Sequence, residues 1–329
     1  MGLARISGAL LAICLALSGT AAEAQPQAYP SRPVTLIVPF PAGGSTDWLS
    51  RLLALKLEQR LKGSFVVENR AGGANVVAAV AVAKSPPDGH TLMIGTSTTF
   101  AINVSVFKNL AYDPVKDFTP VGLVSGVPFV LVVNAALPVK SIADLAREAK
   151  AKPGGLAYAS TGAGSAAHLY MVLLQNELGG IPMTGVPYKG NAPGLTDVIA
   201  GHVSVMFSDL LSALPHIRSG KLRALGVSTG QRVEAAAEIP TLAEAGVPGY
   251  NASAWQMIVA PAKTPADVVG KLNAELNAII REPATGREIN GRGHIAVATP
   301  PPDELQRYVQ SEIVRWRKVV EQAGVLGTQ

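Results

Sequence analysis

The stretch "VTLIVPFPAGGSTDWLSRLLALKLEQRL", residues 34–61, contains the unit from which the fold is built. Its first seven residues are mostly apolar and lead into a turn sequence, a pattern typical of a buried strand. From about residue 47 to 61, apolar residues recur at helical spacing: Trp48, Leu49, Leu52, Leu53, Leu57 and Leu61. The stretch predicts a strand and a helix, joined by a turn with two glycines, a serine, a threonine and an aspartate.

The alternation of strand and helix continues along the chain. "SFVVEN" and "HTLMIGT" predict strands on either side of a small-residue helix, and "PFVLVVN" begins a second series. That series continues through the predicted strands "LAYAST", "MTGVPY", "VSVMFSD" and "KLRALGVST". A strand at "WQMIVAP" and two amphipathic helices follow, the last from Pro302 to about Ala323. This order predicts an α/β protein with two similar lobes around a cleft, each a mainly parallel sheet flanked by helices.

The N-terminal residues predict export. Arg5 precedes the apolar run "GALLAICLAL", and Ala22-Glu23-Ala24 is a small-x-small cleavage site. We therefore expect residues 1–24 to be a signal peptide that is cleaved after Ala24, which predicts a periplasmic protein. The apolar run is too short to span a membrane. The only cysteine, Cys14, lies within it, so the exported chain is expected to have neither a disulfide nor a thiolate metal site.

The composition excludes several functional classes. With 329 residues, 48% hydrophobic and 16% charged, the chain can form the cores of two ordinary domains. The net charge of +5 comes from scattered basic residues without interleaved aromatic residues, which argues against a nucleic-acid partner. The five histidines show no metal-ligand spacing. We expect no metal and no cofactor.

Two glycine-rich turns are the candidate binding elements. The first is Pro39–Asp47, and the second is "STGAGSAAH", residues 160–168. A helix N-terminus has unpaired N–H groups and a partial positive charge, so each turn could bind an anion without Arg or Lys. Alternatively, Thr46 or Asp47 in one turn and Ser165 in the other simply cap their helices. One such turn by itself favours capping, whereas one per lobe favours a shared anion clamp.

The residues expected at the clamp come from both turns. One lobe would supply Ala42, Gly43, Gly44, Ser45 and Thr46, and the other Thr161, Gly162, Gly164 and Ser165, with His168 in support. Asp47 and Asp209 are the carboxylates nearest to the expected cleft. Either could bind a ligand ammonium group. Alternatively, Asp47 caps a helix and Asp209 forms a strand-end turn. Phe40 is expected to form a wall of the ligand pocket, and Trp255 is expected in the core.

Enzymatic alternatives have weaker support. "GVSTG", residues 226–230, matches the nucleophile elbow of a serine esterase, with Ser228, Asp267 and His294 in hydrolase order. However, the residues after Ser228 form a poor helical pattern, and there is no HGGG-like oxyanion loop. Residues 162–167 match a loose dinucleotide pattern, but no acidic residue follows at the required distance, and a Walker loop is absent.

Long stretches of the chain resemble one known family. In content and order they are similar to the Bug/TctC family, the periplasmic solute-binding proteins of tripartite tricarboxylate transporters. The resemblance covers nearly the whole chain after residue 24. It is carried by "YPSRPVTLIVPFPAGGSTDWLSRLLA", "VENRAGGANVVAAVAVAKSPPDGHTLMIGTSTT", "NLAYDPVKDFTPVGLV", "STGAGSAAHL" and "VPYKGNAPGLTDVIAGHVSVMFSD".

The resemblance implies a two-lobe periplasmic-binding-protein fold of the Venus flytrap type. Lobe 1 would comprise residues 25–128 and 252–329, and lobe 2 residues 129–251. The two turns would close on a ligand carboxylate, and the stretch at Ser97, Thr98 and Thr99 would also face the cleft. A membrane permease is the implied partner and a monomer the expected state, although a signalling partner remains an alternative. Family membership does not name the carboxylate, because the far end of the ligand meets variable residues.

Overall fold

The computed structural model describes residues 29–151 and 154–329, so the predicted signal peptide and its cleavage site lie outside the described residues. In this part of the chain, eleven strands form a six-stranded and a five-stranded sheet. The strands are β1 (Val34–Val38), β2 (Phe65–Asn69), β3 (Thr91–Thr96), β4 (Phe118–Val127), β5 (Phe129–Asn134), β6 (Ala157–Ser160), β7 (Thr184–Pro187), β8 (Val205–Asp209), β9 (Leu222–Val227), β10 (Ala254–Pro261) and β11 (Ile295–Ala296).

Helices cover both sheets. They are α1 (Ser45–Leu61), α2 (Val76–Ala83), α3 (Asn103–Val106), α4 (Ile142–Ala151), α5 (Ala166–Glu177), α6 (Asn191–Ala200), α7 (Leu210–Arg218), α8 (Ala266–Arg281), α9 (Pro283–Gly291) and α10 (Pro302–Gln322). Short 3₁₀ turns occupy Gly73–Asn75 and Glu234–Ala236, and a π-helical turn occupies Thr98–Ile102. None of these helices combines the length and apolar character required to cross a bilayer.

The first sheet has the strand order β11–β4–β10–β3–β1–β2. β1 is parallel to β2 and β3, whereas β10 is antiparallel to both of its neighbours, β3 and β4. The strand directions are therefore mixed, where the sequence predicts a mainly parallel sheet. The reason is the point at which the chain returns to this sheet. Ala254, the first residue of β10, pairs with Val127, the last residue of β4, so β10 must run in the opposite direction.

The second sheet, in the order β7–β6–β8–β5–β9, has the same feature. β6 is parallel to β7 and β8, but β5 is antiparallel to β8 and β9. The chain passes from β4 through Pro128 directly into β5, and Phe129 pairs with Asp209, the last residue of β8. β5 thus enters the sheet at the edge where its neighbours end.

Packing against both faces makes each sheet the middle of three layers. The side chains of α1 and α8 cover one face of the first sheet, and those of α2, α3 and α10 cover the other. α6 and α7 pack on one face of the second sheet, and α4 and α5 on the other. One apolar core continues from the first sheet into the second: Trp316 of α10 stacks on Tyr170 of α5 at 5.5 Å.

Some elements were not expected from the sequence. β4, β11 and α7 were missed, and three helices rather than two follow β10. α7 is only nine residues long and contains Pro215, so its helical period is short and interrupted. The expected burial of Trp255 is found, since this side chain is 3% exposed.

Candidate ligand-binding site

The carboxyl ends of strands from both sheets meet where the chain crosses between them. Four strands end beside the first residues of β5 or β10, which follow the two points where the chain crosses between the sheets. The last residues of these strands are Thr96 (β3), Val127 (β4), Asp209 (β8) and Val227 (β9). The two glycine-rich turns follow β1 and β6, which run parallel to β3 and β8. Both turns therefore lie at the edge where open α/β sheets bind ligands.

The first turn presents a helix N-terminus without a side-chain cap. Gly44 is the N-cap of α1 and has no side chain that could accept a hydrogen bond from the helix, and Ala42, Gly43 and Gly44 are exposed. Gly43 has a φ of 86°, a left-handed conformation that glycine adopts at little cost. The N–H groups of Ser45 and Thr46 belong to the first turn of α1, where no intrahelical acceptor is available. They can donate to an anion.

Asp47 braces this turn from within. Its carboxylate accepts hydrogen bonds from Gly43 N–H at 2.9 Å, Asn69 Nδ2 at 2.9 Å and Arg51 Nε at 3.1 Å, and Arg51 Nη2 lies 3.0 Å away. Burial opposes the charge, but the bonds from Arg51, Gly43 and Asn69 hold the pKa of Asp47 below its ordinary value. Both oxygens are engaged with the protein, so the carboxylate sets the shape of the turn.

The second turn uses several of its own donors internally. Ser165 caps α5 and accepts from His168 N–H at 3.3 Å, while Gly164 N–H donates to His168 Nδ1 at 3.0 Å. Ser165 N–H donates to the carbonyl of Gly162 at 3.1 Å. The donors that remain include the exposed Thr161 and the N–H groups of Ala166 and Ala167 in the first turn of α5.

His168 has a defined tautomer in this arrangement. Because Nδ1 accepts the Gly164 N–H, the proton of the neutral ring is on Nε2. The ring stacks on Tyr158 with a centroid separation of 6.3 Å, and burial lowers the pKa of His168. His168 therefore remains neutral at physiological pH and supports the turn.

A row of polar side chains crosses the first sheet beneath the first turn. Gln256 of β10 pairs with Thr96 of β3 on one side and with Ser125 of β4 on the other, so the three side chains share a face of the sheet. Gln256 Nε2 donates to Thr46 Oγ1 at 2.7 Å, and Ser125 Oγ donates to Gln256 Oε1 at 2.8 Å. Ser125 Oγ also lies 3.1 Å from His294 Nδ1.

Two buried hydroxyls at the end of β3 have no hydrogen-bond partner in the described structure, Thr96 Oγ1 and Ser97 Oγ. Their residues are 7% and 0% exposed. A buried hydroxyl without a partner is costly, so these groups are suited to contact a polar ligand or water. Thr98, which follows them, is half-buried and begins the π-helical turn.

The remaining predicted residues have defined environments. Asp209 caps α7 by accepting from Ser212 N–H at 2.9 Å, and burial raises its pKa. The half-buried Phe40 packs against the core beneath α1, and its carbonyl accepts from Asn69 Nδ2 at 3.0 Å. Asp209 therefore caps a helix instead of forming the strand-end turn that was the alternative to ammonium binding, and the ring of Phe40 is shared between the core and the surface.

Sequence reasoning missed Gln256 and a third loop at the same edge. After β2, residues 72–75 adopt positive φ values in succession, including 51° at Ala74 and 76° at Asn75. Asn103 Nδ2 bonds to Ala74 O, and Asn75 Nδ2 bonds to Thr99 Oγ1. The signal was present, because "AGGAN" follows a predicted strand as the other two turns do. For Gln256 the sequence carried no signal, since its partners depend on strand register.

The two lobes also touch at two places. At one place Gln329 Nε2 donates to Ala163 O at 2.8 Å, and a Cβ on Gly164 would lie 2.8 Å from two methyl groups of Val106. At the other place, a Cβ on Gly293 would lie 3.4 Å from Leu211 N. Two surface grooves, of about 390 and 570 Å³, lie outside both turns, and the larger is lined by Asn251, Asn290 and His294 among others.

The geometry does not assemble a serine esterase site. Ser228 is fully buried, and its hydroxyl accepts from Phe129 N–H at 3.2 Å at the crossing between the sheets. Asp267 lies exposed in the first turn of α8, and the hydrogen bond of His294 goes to Ser125. The "GVSTG" match is therefore an ordinary strand end.

Comparisons with known proteins agree with this picture. Residues 49–325 match the family described as tripartite tricarboxylate transporter family receptor, TctC. Protein BugT of Bordetella pertussis is 37% identical over 317 residues, which cover 96% of this chain and 97% of that protein.

Solved structures give the same relationship. The R. palustris protein Rpa4515 with adipate is 40% identical and has a TM-score of 0.85, with 91% of this chain and 99% of that chain covered. MatC (Rpa3494) from Rhodopseudomonas palustris with bound malate is 34% identical and has a TM-score of 0.78, with 89% and 100% covered. The predicted α/β periplasmic-binding-protein fold is confirmed. These homologues are solute-binding receptors rather than enzymes, and the chain belongs to the TctC family of tripartite tricarboxylate transporter receptors.

Proposed function

We propose that this protein is an exported receptor that captures a small carboxylic acid between its two glycine-rich turns and delivers it to a tripartite tricarboxylate transporter permease. The observation that carries the proposal is the placement of two helix N-termini, those of α1 and α5, at the shared edge of the two sheets. Relatives solved with adipate and malate support a carboxylate as the ligand.

The chemistry of binding follows from the free donors. N–H groups of Ser45 and Thr46 would hold one carboxylate oxygen from one lobe, and those of Ala166 and Ala167, with the hydroxyl of Thr161, would act from the other. Hydrogen bonds to a charged group contribute about 1.5–3 kcal/mol each, so a few suffice without a cationic side chain. The proposed site comprises Phe40, Ala42, Gly43, Gly44, Ser45, Thr46, Asp47, Ser97, Thr98, Thr161, Gly162, Gly164, Ser165, His168 and Asp209.

Within this site the roles differ. We assign contact with the ligand to the amides and hydroxyls at the helix N-termini and to Ser97. Asp47, Gly164, Ser165 and His168 would hold the two turns in shape, because their polar atoms are already bonded to the protein. The far end of the ligand would extend towards Asp209, whose pKa is raised by burial.

Binding would couple to closure of the lobes, residues 25–128 with 252–329 against residues 129–251. The chain crosses between the sheets at Pro128 and again between β9 and β10, so a hinge there would absorb the motion. The permease would then bind the closed form of a monomeric receptor. Two relatives are described as a periplasmic transporter and as periplasmic binding protein BugD, which supports the same location after cleavage at Ala24.

The test is a thermal-shift screen of residues 25–329, prepared free of ligand, against mono-, di-, tri- and aromatic carboxylates. A ligand at about 100 times its Kd stabilises the folded state by roughly 2.7 kcal/mol. Thr161→Val and Gly43→Pro should abolish the shift, the latter because proline cannot adopt a φ of 86°. Thr184→Val is the matched control, an exposed threonine at the opposite end of the same sheet as Thr161. The absence of a shift with every acid would refute the proposal.

A further inference from the structure

We propose that a hydrogen-bond relay, His294–Ser125–Gln256–Thr46, directs the hydroxyl proton of Thr46 at the ligand carboxylate, which makes Gln256 a positioning residue for binding. The inference rests on the proposed function, because the carboxylate is the last acceptor of the relay.

The four side chains form a continuous line. Thr46 Oγ1 lies 2.7 Å from Gln256 Nε2, Gln256 Oε1 lies 2.8 Å from Ser125 Oγ, and Ser125 Oγ lies 3.1 Å from His294 Nδ1. The side chains belong to α1, β10, β4 and the segment before β11, so the line runs from the first turn to the edge of the sheet.

Each link determines the direction of the next. The amide nitrogen of Gln256 can only donate, so Thr46 Oγ1 accepts, and the amide oxygen can only accept, so Ser125 gives it its one proton. Ser125 then has no proton for His294, and Nδ1–H of the ring must donate to Ser125. The neutral ring is left with an unprotonated Nε2, which has no partner in the described structure.

This direction leaves the hydroxyl proton of Thr46 free for a ligand. Thr46 is at the second position of α1, beside the unpaired N–H groups of the helix N-terminus. If the amide of Gln256 were turned over, Thr46 would donate to Gln256 and present only lone pairs to the anion. A carboxylate between the turns therefore favours the direction in which Gln256 donates to Thr46. The relay holds the Thr46 hydroxyl in this orientation before the ligand binds.

Burial makes the relay effective. Thr46 is 7% exposed, Gln256 and His294 are 1% exposed, and Ser125 is fully buried. Water cannot compete readily for these bonds, and hydrogen bonds are stronger and polarise one another in a medium of low dielectric constant. Two unpartnered buried hydroxyls, Thr96 and Ser97, lie at the end of the strand paired with Gln256, where a polar ligand could contact them.

The first experiment measures the tautomer of His294 by long-range ¹H–¹⁵N NMR of the free protein at pH 7.5. The relay requires the proton on Nδ1. A proton on Nε2 would reverse every link and overturn the inference, whether or not a ligand has been identified.

The second experiment is a double-mutant cycle by isothermal titration with adipate and malate. Thr46→Val should weaken binding about 10- to 100-fold, whereas Thr46→Ser, which keeps the hydroxyl, should remain within about 3-fold. Gln256→Met should weaken binding about 5- to 10-fold in the wild-type background but less than about 2-fold when Thr46 is already Val, because its effect passes through that hydroxyl.

The outcomes separate the two proposals. If Gln256→Met costs the same in both backgrounds, Gln256 has only a general structural role and the relay is refuted, while carboxylate binding by the wild type stands. If the wild type binds no acid of the screen, the proposed function fails and the role of Gln256 in binding fails with it, while the tautomer of His294 still decides the direction of the hydrogen bonds. Circular dichroism and urea denaturation of each variant check that the fold is retained.

Discussion

Replacing Asp47 with alanine should loosen the first turn and weaken ligand binding together. Asp47 is a buried carboxylate that receives four close donors: Gly43 N, Asn69 Nδ2, and Nε and Nη2 of Arg51. The two contacts with Arg51 count for little, because that side chain is 53% exposed and water can replace them. The bonds from Gly43 and Asn69 to a charged acceptor contribute about 1.5–3 kcal/mol each before solvent competes. We expect a loss of about 2–4 kcal/mol in the free energy of unfolding.

The effect on binding follows from the position of Gly43. Without the carboxylate, nothing holds Gly43 N–H, and the exposed glycines 43 and 44 gain conformational freedom that the ligand must remove. Affinity for the acid identified in the screen should fall at least 10-fold, or about 1.4 kcal/mol.

The chain offers a matched control in lobe 2. Asp144 accepts the N–H of Lys140, four residues before it, as Asp47 accepts that of Gly43, and it pairs with Arg147. It lies at the start of α4, which follows the end of β5 remote from the crossing. Asp144→Ala should cost less stability and leave ligand affinity unchanged.

Urea denaturation and titration calorimetry measure both quantities, and pH provides an internal check. The folded pKa of Asp47 is depressed, so its stabilisation is present above about pH 4 and is lost as pH falls through the folded value. The stabilities of wild type and Asp47→Ala should therefore converge in acid. Equal losses of affinity in the Asp47 and Asp144 variants, or a gap in stability that persists at low pH, would refute the reasoning.

Three further predictions concern the core, the lobe contact and the excluded enzyme activity. Glu312→Ala should lower the free energy of unfolding by about 3–5 kcal/mol in urea denaturation, because its buried carboxylate accepts from two indole N–H groups. Replacing the exposed Glu321 of the same helix with alanine should change it by no more than about 0.5 kcal/mol. Similar losses in the two variants would contradict this. Gly164→Ala should weaken ligand binding and lower the melting temperature more than Gly162→Ala does, in paired titrations and melts. The reason is that a Cβ on Gly164 would clash with a neighbour, whereas one on Gly162 would not. The opposite order of the two variants would contradict this. A fluorophosphonate probe should leave Ser228 unlabelled in the folded protein by mass spectrometry, and stoichiometric labelling would reopen the esterase hypothesis.

Local patterns in the sequence were sufficient to predict the α/β class and the two glycine-rich turns. The strand, turn and helix of residues 34–61 depend on apolar periodicity and on glycine at Gly43, which are properties of neighbouring residues. The capping role proposed as an alternative for Ser165 could also be anticipated, because a cap involves residues two or three positions apart.

Other features depended on contacts between distant residues. The mixed strand directions arise because β10 returns to the first sheet at the end of β4, and no local pattern records that point of entry. In the second turn, some N–H groups bond within the protein and others are free for a ligand. Which of them are free depended on the rotamer of His168, because its Nδ1 accepts the Gly164 N–H.

By itself, then, the sequence determined the strand and the helix on either side of each glycine-rich turn, because those choices are made by residues within a few positions of one another. The tertiary structure alone decided what surrounds each turn. Thr46 meets Gln256 across 210 positions, and Ser125 meets His294 across 169. Such pairs follow from strand register and from the return of the chain between lobes, which are set by packing of the whole molecule.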